Sequence, residues 1–209
     1  ASAAASVLTP SARPKLTQIP ASIACVADYE RAAADYIDPA VYDHIAGGSG
    51  GEQTVRANVA ASEALELYDR VFLPAGQGST TLSLIGRSLR HPIVLAPVAQ
   101  QILVHPDGER ATARAAAAME TGMVVSTLSS FTLEDIAGEG GGEKWFQLYF
   151  QTERSQTLAL VRRAEAAGYR ALVVTADAPV QPLSRRAARA GYRPPQGAPN
   201  LQSHAAAAP

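Results

Sequence analysis

Between Pro92 and Ala176 the chain repeats a single alternation that restricts the fold more than any other feature. Apolar runs of strand length, "PIVLAP", "MVVST", "WFQLYF" and "ALVVTA", are separated by the helical patterns "DGERATARAAAAMETG", "TLEDIAGEG" and "ERSQTLALVRRAEAAG". Strand, helix, strand at the length of a βα unit predicts parallel strands joined by crossover helices, because a tight turn cannot connect a parallel pair. The helix boundaries carry their own signals. The first pattern has acidic residues in its opening turn and Gly122 after its end, and Thr132 with Asp135 forms a capping pattern. In the last, Leu160, Val161, Ala164 and Ala167 share one face, which Gly168 closes.

Two architectures accommodate that alternation. An open doubly wound sheet that binds nucleotides usually carries a Gly-rich turn straight after its first strand, whereas "APVAQQILVHPDGE" has no such cluster. Instead each later strand turns polar at its C-terminal end: Ser126 and Thr127, then Gln147 and Tyr149, then Thr175 and Asp177. Barrel active sites are built from the C-terminal ends of several strands. The expectation is a (β/α)₈ TIM barrel, this chain supplying the N-terminal helices and about the first four βα units. Within "EKWFQLYFQ", strict alternation predicts Phe146, Leu148 and Phe150 on one face and Trp145, Gln147, Tyr149 and Gln151 on the other. Gln147 and Tyr149 are expected to face the barrel interior near its top, where a ligand would sit.

The rest of the chain is read more coarsely. Three helical patterns, "VADYERAAADYI", "PAVYDHIAGG" and "EQTVRANVAASEALELYD", precede the short apolar run "RVFLP" and a hairpin turning at Gly86. Residues 1–25 read as a flexible arm, 26–180 as the half-barrel and 181–209 as a mobile loop after the fourth strand. Over 209 residues the net charge is only −1 and no basic stripe is present, which argues against nucleic acid as the partner. Cys25 is the only cysteine, so neither a disulfide framework nor a Cys-based metal site is expected, and it reads as a small buried side chain. No apolar run is long enough to span a bilayer, and the Ala/Ser/Pro-rich start lacks a secretory pattern, so the expected location is the cytoplasm.

The set "VYDHIAGGSGGE", "GRSLRHPIVLAPVAQQILVHPDGERATARAA", "STLSSFTLEDIA", "WFQLYFQ" and "VVTADAPV" resembles the FMN-dependent α-hydroxy-acid oxidases and dehydrogenases, from about Val26 to about Arg186. The resemblance implies a (β/α)₈ barrel that uses FMN to oxidise a small 2-hydroxy acid to a 2-oxo acid. It places the backbone of Pro97, Val98 and Ala99 against the flavin ring, with Ser129, Gln147 and Thr175 hydrogen-bonding the ring edge. Tyr149 would touch the substrate, and Asp177 would pair with the family's catalytic His. Ala99 sits where oxidases of the family tend to have Ala and several dehydrogenases Gly, which points to oxygen as acceptor.

Three departures accompany the resemblance. His44 stands where the family usually has a Tyr that binds the substrate carboxylate. After Asp177 the family carries a substrate-side Arg; here Ser184 holds the ungapped position and Arg185 follows it. The family's flavin-facing Lys, catalytic His and carboxylate-binding Arg have no counterpart, and His91, His105 and His204 do not match the catalytic motif. The implied partner is a complementary C-terminal half of the barrel as a second chain, with a homo-oligomer of the assembled enzyme. Alternatives are a dehydrogenase or monooxygenase of the same family, or a non-catalytic half-barrel that binds or assembles.

Overall fold

The computed structural model describes residues 18–72, 76, 78–177 and 184–202, which divide into two compact units. One comprises residues 79–177 with 195–202, and the other residues 18–72, 76 and 78 with 184–194.

The first unit holds the βα repeats. The hairpin β1 (Leu82–Leu84) and β2 (Arg87–Leu89) turns at Ile85 and Gly86, both at positive φ (51° and 70°), as a two-residue turn matched to strand twist requires. A four-stranded parallel sheet follows: β3 (Val94–Leu95), β4 (Gly122–Ser126), β5 (Lys144–Leu148) and β6 (Leu172–Val174). Its strands lie in chain order, each hydrogen-bonded to the next. An open doubly wound sheet reverses its order at a switch point; this one runs in a single direction, as a barrel wall does.

The crossovers are α4 (Gly108–Ala118), α5 (Leu133–Ala137) and α6 (Arg154–Ala166). The Thr132 hydroxyl accepts from the Asp135 N–H at 3.1 Å, the expected cap of α5. Gly168, at φ 89°, ends α6 as expected. The end of α4 differs: the left-handed residue after it is Glu120 (φ 54°), while Gly122 opens β4. Chain periodicity could not separate a glycine that stops a helix from one that starts the next strand.

Met123, Val125, Phe146 and Leu148 turn to the helix layer and pack with Ala113, Leu133, Ile136, Leu160 and Ala164. Phe146 and Leu160 are fully buried, each contributing about 1.5–3 kcal/mol of transfer free energy. The expected alternation of "WFQLYF" holds only to Leu148, where β5 ends; Phe150 is 68% exposed, no longer held by the ladder. Leu172 and Val174, in register with Phe146 and Leu148, are also substantially exposed, as no following helix covers β6 among the described residues.

In the second unit lie α1 (Val26–Ala33), α2 (Pro39–Ala46), α3 (Gln53–Glu63) and α7 (Arg185–Arg189). Pro39 begins α2, and Asp38 caps it by accepting from Ala40 N and Val41 N. The third pattern was expected to run through Asp69, but α3 stops at Glu63 and leaves Leu65 and Leu67 exposed, without the burial that would extend it. Leu73 and Pro74 of the "RVFLP" run lie outside the described residues. Cys25 is exposed as the N-cap of α1, not buried as expected: a helix start faces water, and Asp28 takes its backbone N–H. The segment read as a loop, 181–209, contains α7 and a short helix α8 (Pro199–Gln202).

Candidate functional site

The C-terminal ends of β4, β5 and β6 converge on one hydrogen-bonded network. Ser126 and Gln147 are register neighbours on the face opposite the helix layer, as are Gln147 and Val173. Gln147 is buried at the centre of the network. Its Oε1 accepts from the Thr127 N–H at 3.2 Å and from the Ser126 hydroxyl at 3.3 Å. A backbone N–H can only donate, so Oε1 must face Thr127 and Nε2 is left for β6. Nε2 donates to Thr175 Oγ1 at 2.9 Å. The Thr127 hydroxyl donates to the Gln147 carbonyl at 2.6 Å and accepts from the Tyr149 N–H at 3.1 Å, carrying the β4–β5 pairing past the last regular residue.

That arrangement leaves specific groups over. Among the described residues, Gln147 keeps a second Nε2 hydrogen without an acceptor, and Thr175 keeps its hydroxyl proton, since its oxygen is already an acceptor. At the end of β3, Pro97, Val98 and Ala99 are exposed, and no acceptor meets the Ala99 N–H among the described residues. Tyr149 is half-buried and Asp177 exposed at the ends of β5 and β6. The strand ends therefore present donors over a mostly apolar wall.

Ser129 is placed differently. It is fully buried, its hydroxyl donates to the Phe131 carbonyl at 2.8 Å, and its oxygen accepts from Asn200 Nδ2 at 2.9 Å. With both bonds made inside the packing and no exposed surface, the Ser129 hydroxyl is not presented at the strand-end opening, contrary to the sequence expectation that it bonds the flavin edge. Asn200, also fully buried, accepts the Leu133 N–H at 3.0 Å through Oδ1. Sequence reading did not single out Asn200: it lies in a stretch rich in Pro and Ala, and its partners are 67 and 71 residues away. The Pro199 before it, suited to a first helical turn, was the available signal.

His44 and Arg185 belong to the second unit. The His44 ring stacks on Tyr192, with centroids 3.9 Å apart and planes 7° from parallel, and burial holds its pKa below the ordinary value. Arg185 is exposed and lines a cavity of about 420 Å³ with Asp43, Glu52, Arg186 and Arg189, where Arg186 donates to Glu52 at 3.0 Å. A larger concavity of about 530 Å³ in the first unit lies by Gly86, Thr121, Gly142 and Gly168, near the starts of the strands and away from the polar network.

Residues 33–209 match the model of the FMN-dependent dehydrogenase family. The chain belongs to that family. It is 50% identical over 178 residues to an L-lactate oxidase of Alicycliphilus denitrificans, covering 85% of this chain and 49% of the relative. It is 42% identical over 171 residues to a 4-hydroxymandelate oxidase of Amycolatopsis orientalis, covering 82% and 48%. Among solved structures, a mandelate oxidase variant with 2-hydroxy-phenylacetamide superposes with a TM-score of 0.78 at 40% identity, covering 84% of this chain and 52% of that one. A second mandelate oxidase variant, holding a C4a-OH-FMN adduct, gives 0.77 at 40% identity, covering 83% and 53%. The chain spans about half the length of the curated relatives it matches. The parallel sheet is accordingly half of the FMN-dependent dehydrogenase barrel.

The leftover groups fit the family's cofactor. An isoalloxazine edge presents carbonyls and ring nitrogens that need donors, and the Ala99 N–H, Gln147 Nε2–H and Thr175 O–H, at the ends of β3, β5 and β6 of one sheet, are groups of that kind.

Proposed function

We propose that this chain is the N-terminal half of an FMN-dependent 2-hydroxy-acid oxidase whose other barrel strands come from a complementary half. The observation that carries the reading is the Thr127–Gln147–Thr175 network, which spends most of its hydrogen-bonding capacity internally and leaves outward donors. The names of the relatives, lactate, hydroxymandelate and 2-hydroxy-acid oxidases, support the substrate class.

When bound, FMN supplies the two-electron acceptor for oxidation of the α-carbon. The residues of this chain hold and orient. The Pro97–Ala99 turn supports the ring face, and Gln147 and Thr175 fix the ring edge. Tyr149, half-buried just past the end of β5, donates to the substrate. Asp177, exposed just beyond β6, supplies the carboxylate that stabilises a protonated imidazole from the complementary half. Ala99 favours oxygen as the acceptor.

The test is to purify the chain with its complementary half and record the flavin spectrum before and after adding lactate or mandelate without oxygen. Yellow protein that bleaches with the substrate supports the reading. Colourless protein that takes up no added FMN would favour a binding module and overturn it.

A further inference from the structure

Glu109 is fully buried at the start of α4, yet none of its hydrogen-bond donors is an Arg or Lys. Its Oε1 accepts the Gln101 N–H at 3.0 Å, the Ser130 N–H at 2.9 Å and the Ser130 hydroxyl at 3.3 Å. Oε2, equally buried, has no partner among the described residues. Two loops meet on this one carboxylate. Gln101 belongs to the loop after β3, immediately beyond Pro97–Ala99, and Ser130 to the loop after β4.

Neighbouring contacts draw the same loops together. Gln100 N–H donates to Leu128 O at 3.1 Å, and Ile102 N–H to Ser130 Oγ at 3.2 Å. Three consecutive N–H groups, of Gln100, Gln101 and Ile102, are thus tied to the β4 loop or to Glu109. Gly108, at φ 41°, lets the helix come close enough: a Cβ there would lie 3.1 Å from Ile102 N and 3.2 Å from the Phe131 ring. A charged acceptor makes stronger hydrogen bonds than a neutral one, and the helix N-terminus favours negative charge there.

We propose that Glu109 is the positioning residue that sets the flavin-facing turn Pro97–Ala99 against the loop after β4, with Gly108 providing the approach. This rests on the reading of the strand ends as an FMN site. Glu109 does not touch the cofactor; it holds the backbone that does. Pro97–Ala99 itself is exposed and has few bonds of its own, so its position is inherited from the tied residues that follow it.

The experiment compares the complete protein with its Glu109→Gln and Ser130→Ala variants. Backbone hydrogen exchange at Gln101 and Ser130 reads the clamp, and FMN fluorescence quenching with visible circular dichroism reads the site. Glu109→Gln keeps the size and removes the charge; it is expected to speed exchange at both amides, weaken FMN binding about tenfold and alter the flavin dichroism. Ser130→Ala, which keeps its N–H, moves the same readouts in the same direction by less and serves if the first variant does not fold. Unchanged exchange in either variant overturns the clamp. Faster exchange with unchanged FMN affinity and dichroism overturns the link to the cofactor. A wild-type protein that takes up no FMN overturns the proposed function, and with it this inference, before any variant is compared.

Discussion

Replacing Gln147 by Met separates scaffold from ligand contact most sharply. The thioether is close to the amide in length, so the wall is neither emptied nor overfilled. What goes is hydrogen bonding. The Thr127 N–H, on a fully buried residue, loses its acceptor, which costs about 1–3 kcal/mol. The Thr175 contact at 2.9 Å is a neutral hydrogen bond contributing about 1 kcal/mol. Ser126 loses an acceptor at 3.3 Å but keeps the Leu128 N–H as donor, so that loss is small. The sum is a destabilisation of about 2–4 kcal/mol, readable by denaturant unfolding of the holoprotein. Losing the outward Nε2–H should separately weaken FMN binding about tenfold, near 1.4 kcal/mol, read by fluorescence quenching. Lower stability with FMN affinity unchanged within about twofold would refute the ligand role and leave Gln147 as scaffold alone.

Thr175→Val removes an outward hydroxyl from a half-buried position. FMN affinity should fall several-fold, and because the buried Gln147 Nε2–H loses its acceptor the unfolding free energy should fall by about 1–3 kcal/mol, measured by the same two assays. Tyr149→Phe should lower kcat by about one to two powers of ten with little change in FMN affinity, because the role proposed for the lost donor is toward the substrate; steady-state kinetics beside quenching titrations check the split. Burial lowers the His44 pKa below 6.5, so the unfolded chain binds the proton more readily. Its contribution to stability is complete above pH 6.5 and is lost as pH falls toward the folded pKa; His44→Tyr should abolish that slope in denaturation curves taken across pH.

The sequence by itself determined the βα rhythm, the cap at Thr132, the helix start at Pro39, the turn at Gly86 and the polar strand ends. Each is local: strand alternation, helix periodicity and left-handed glycines are set by neighbours a few residues apart. Gln147 and Thr175 could be singled out as matching strand ends, 28 residues apart, because the repeat length predicts which positions align. The tertiary structure alone decided which atoms of those residues remain for a ligand, since that depends on partners from other strands. It also decided what local pattern left open. Glu109 read as an ordinary acidic first-turn residue and became the junction of two loops. Asn200, in a Pro- and Ala-rich stretch, became the buried support of Ser129, 71 residues away. His44 met Tyr192 from a segment read as loop. Buried hydrogen bonds between distant residues leave no periodic trace in the chain, because only folding brings donor and acceptor together and removes the water that would otherwise satisfy both.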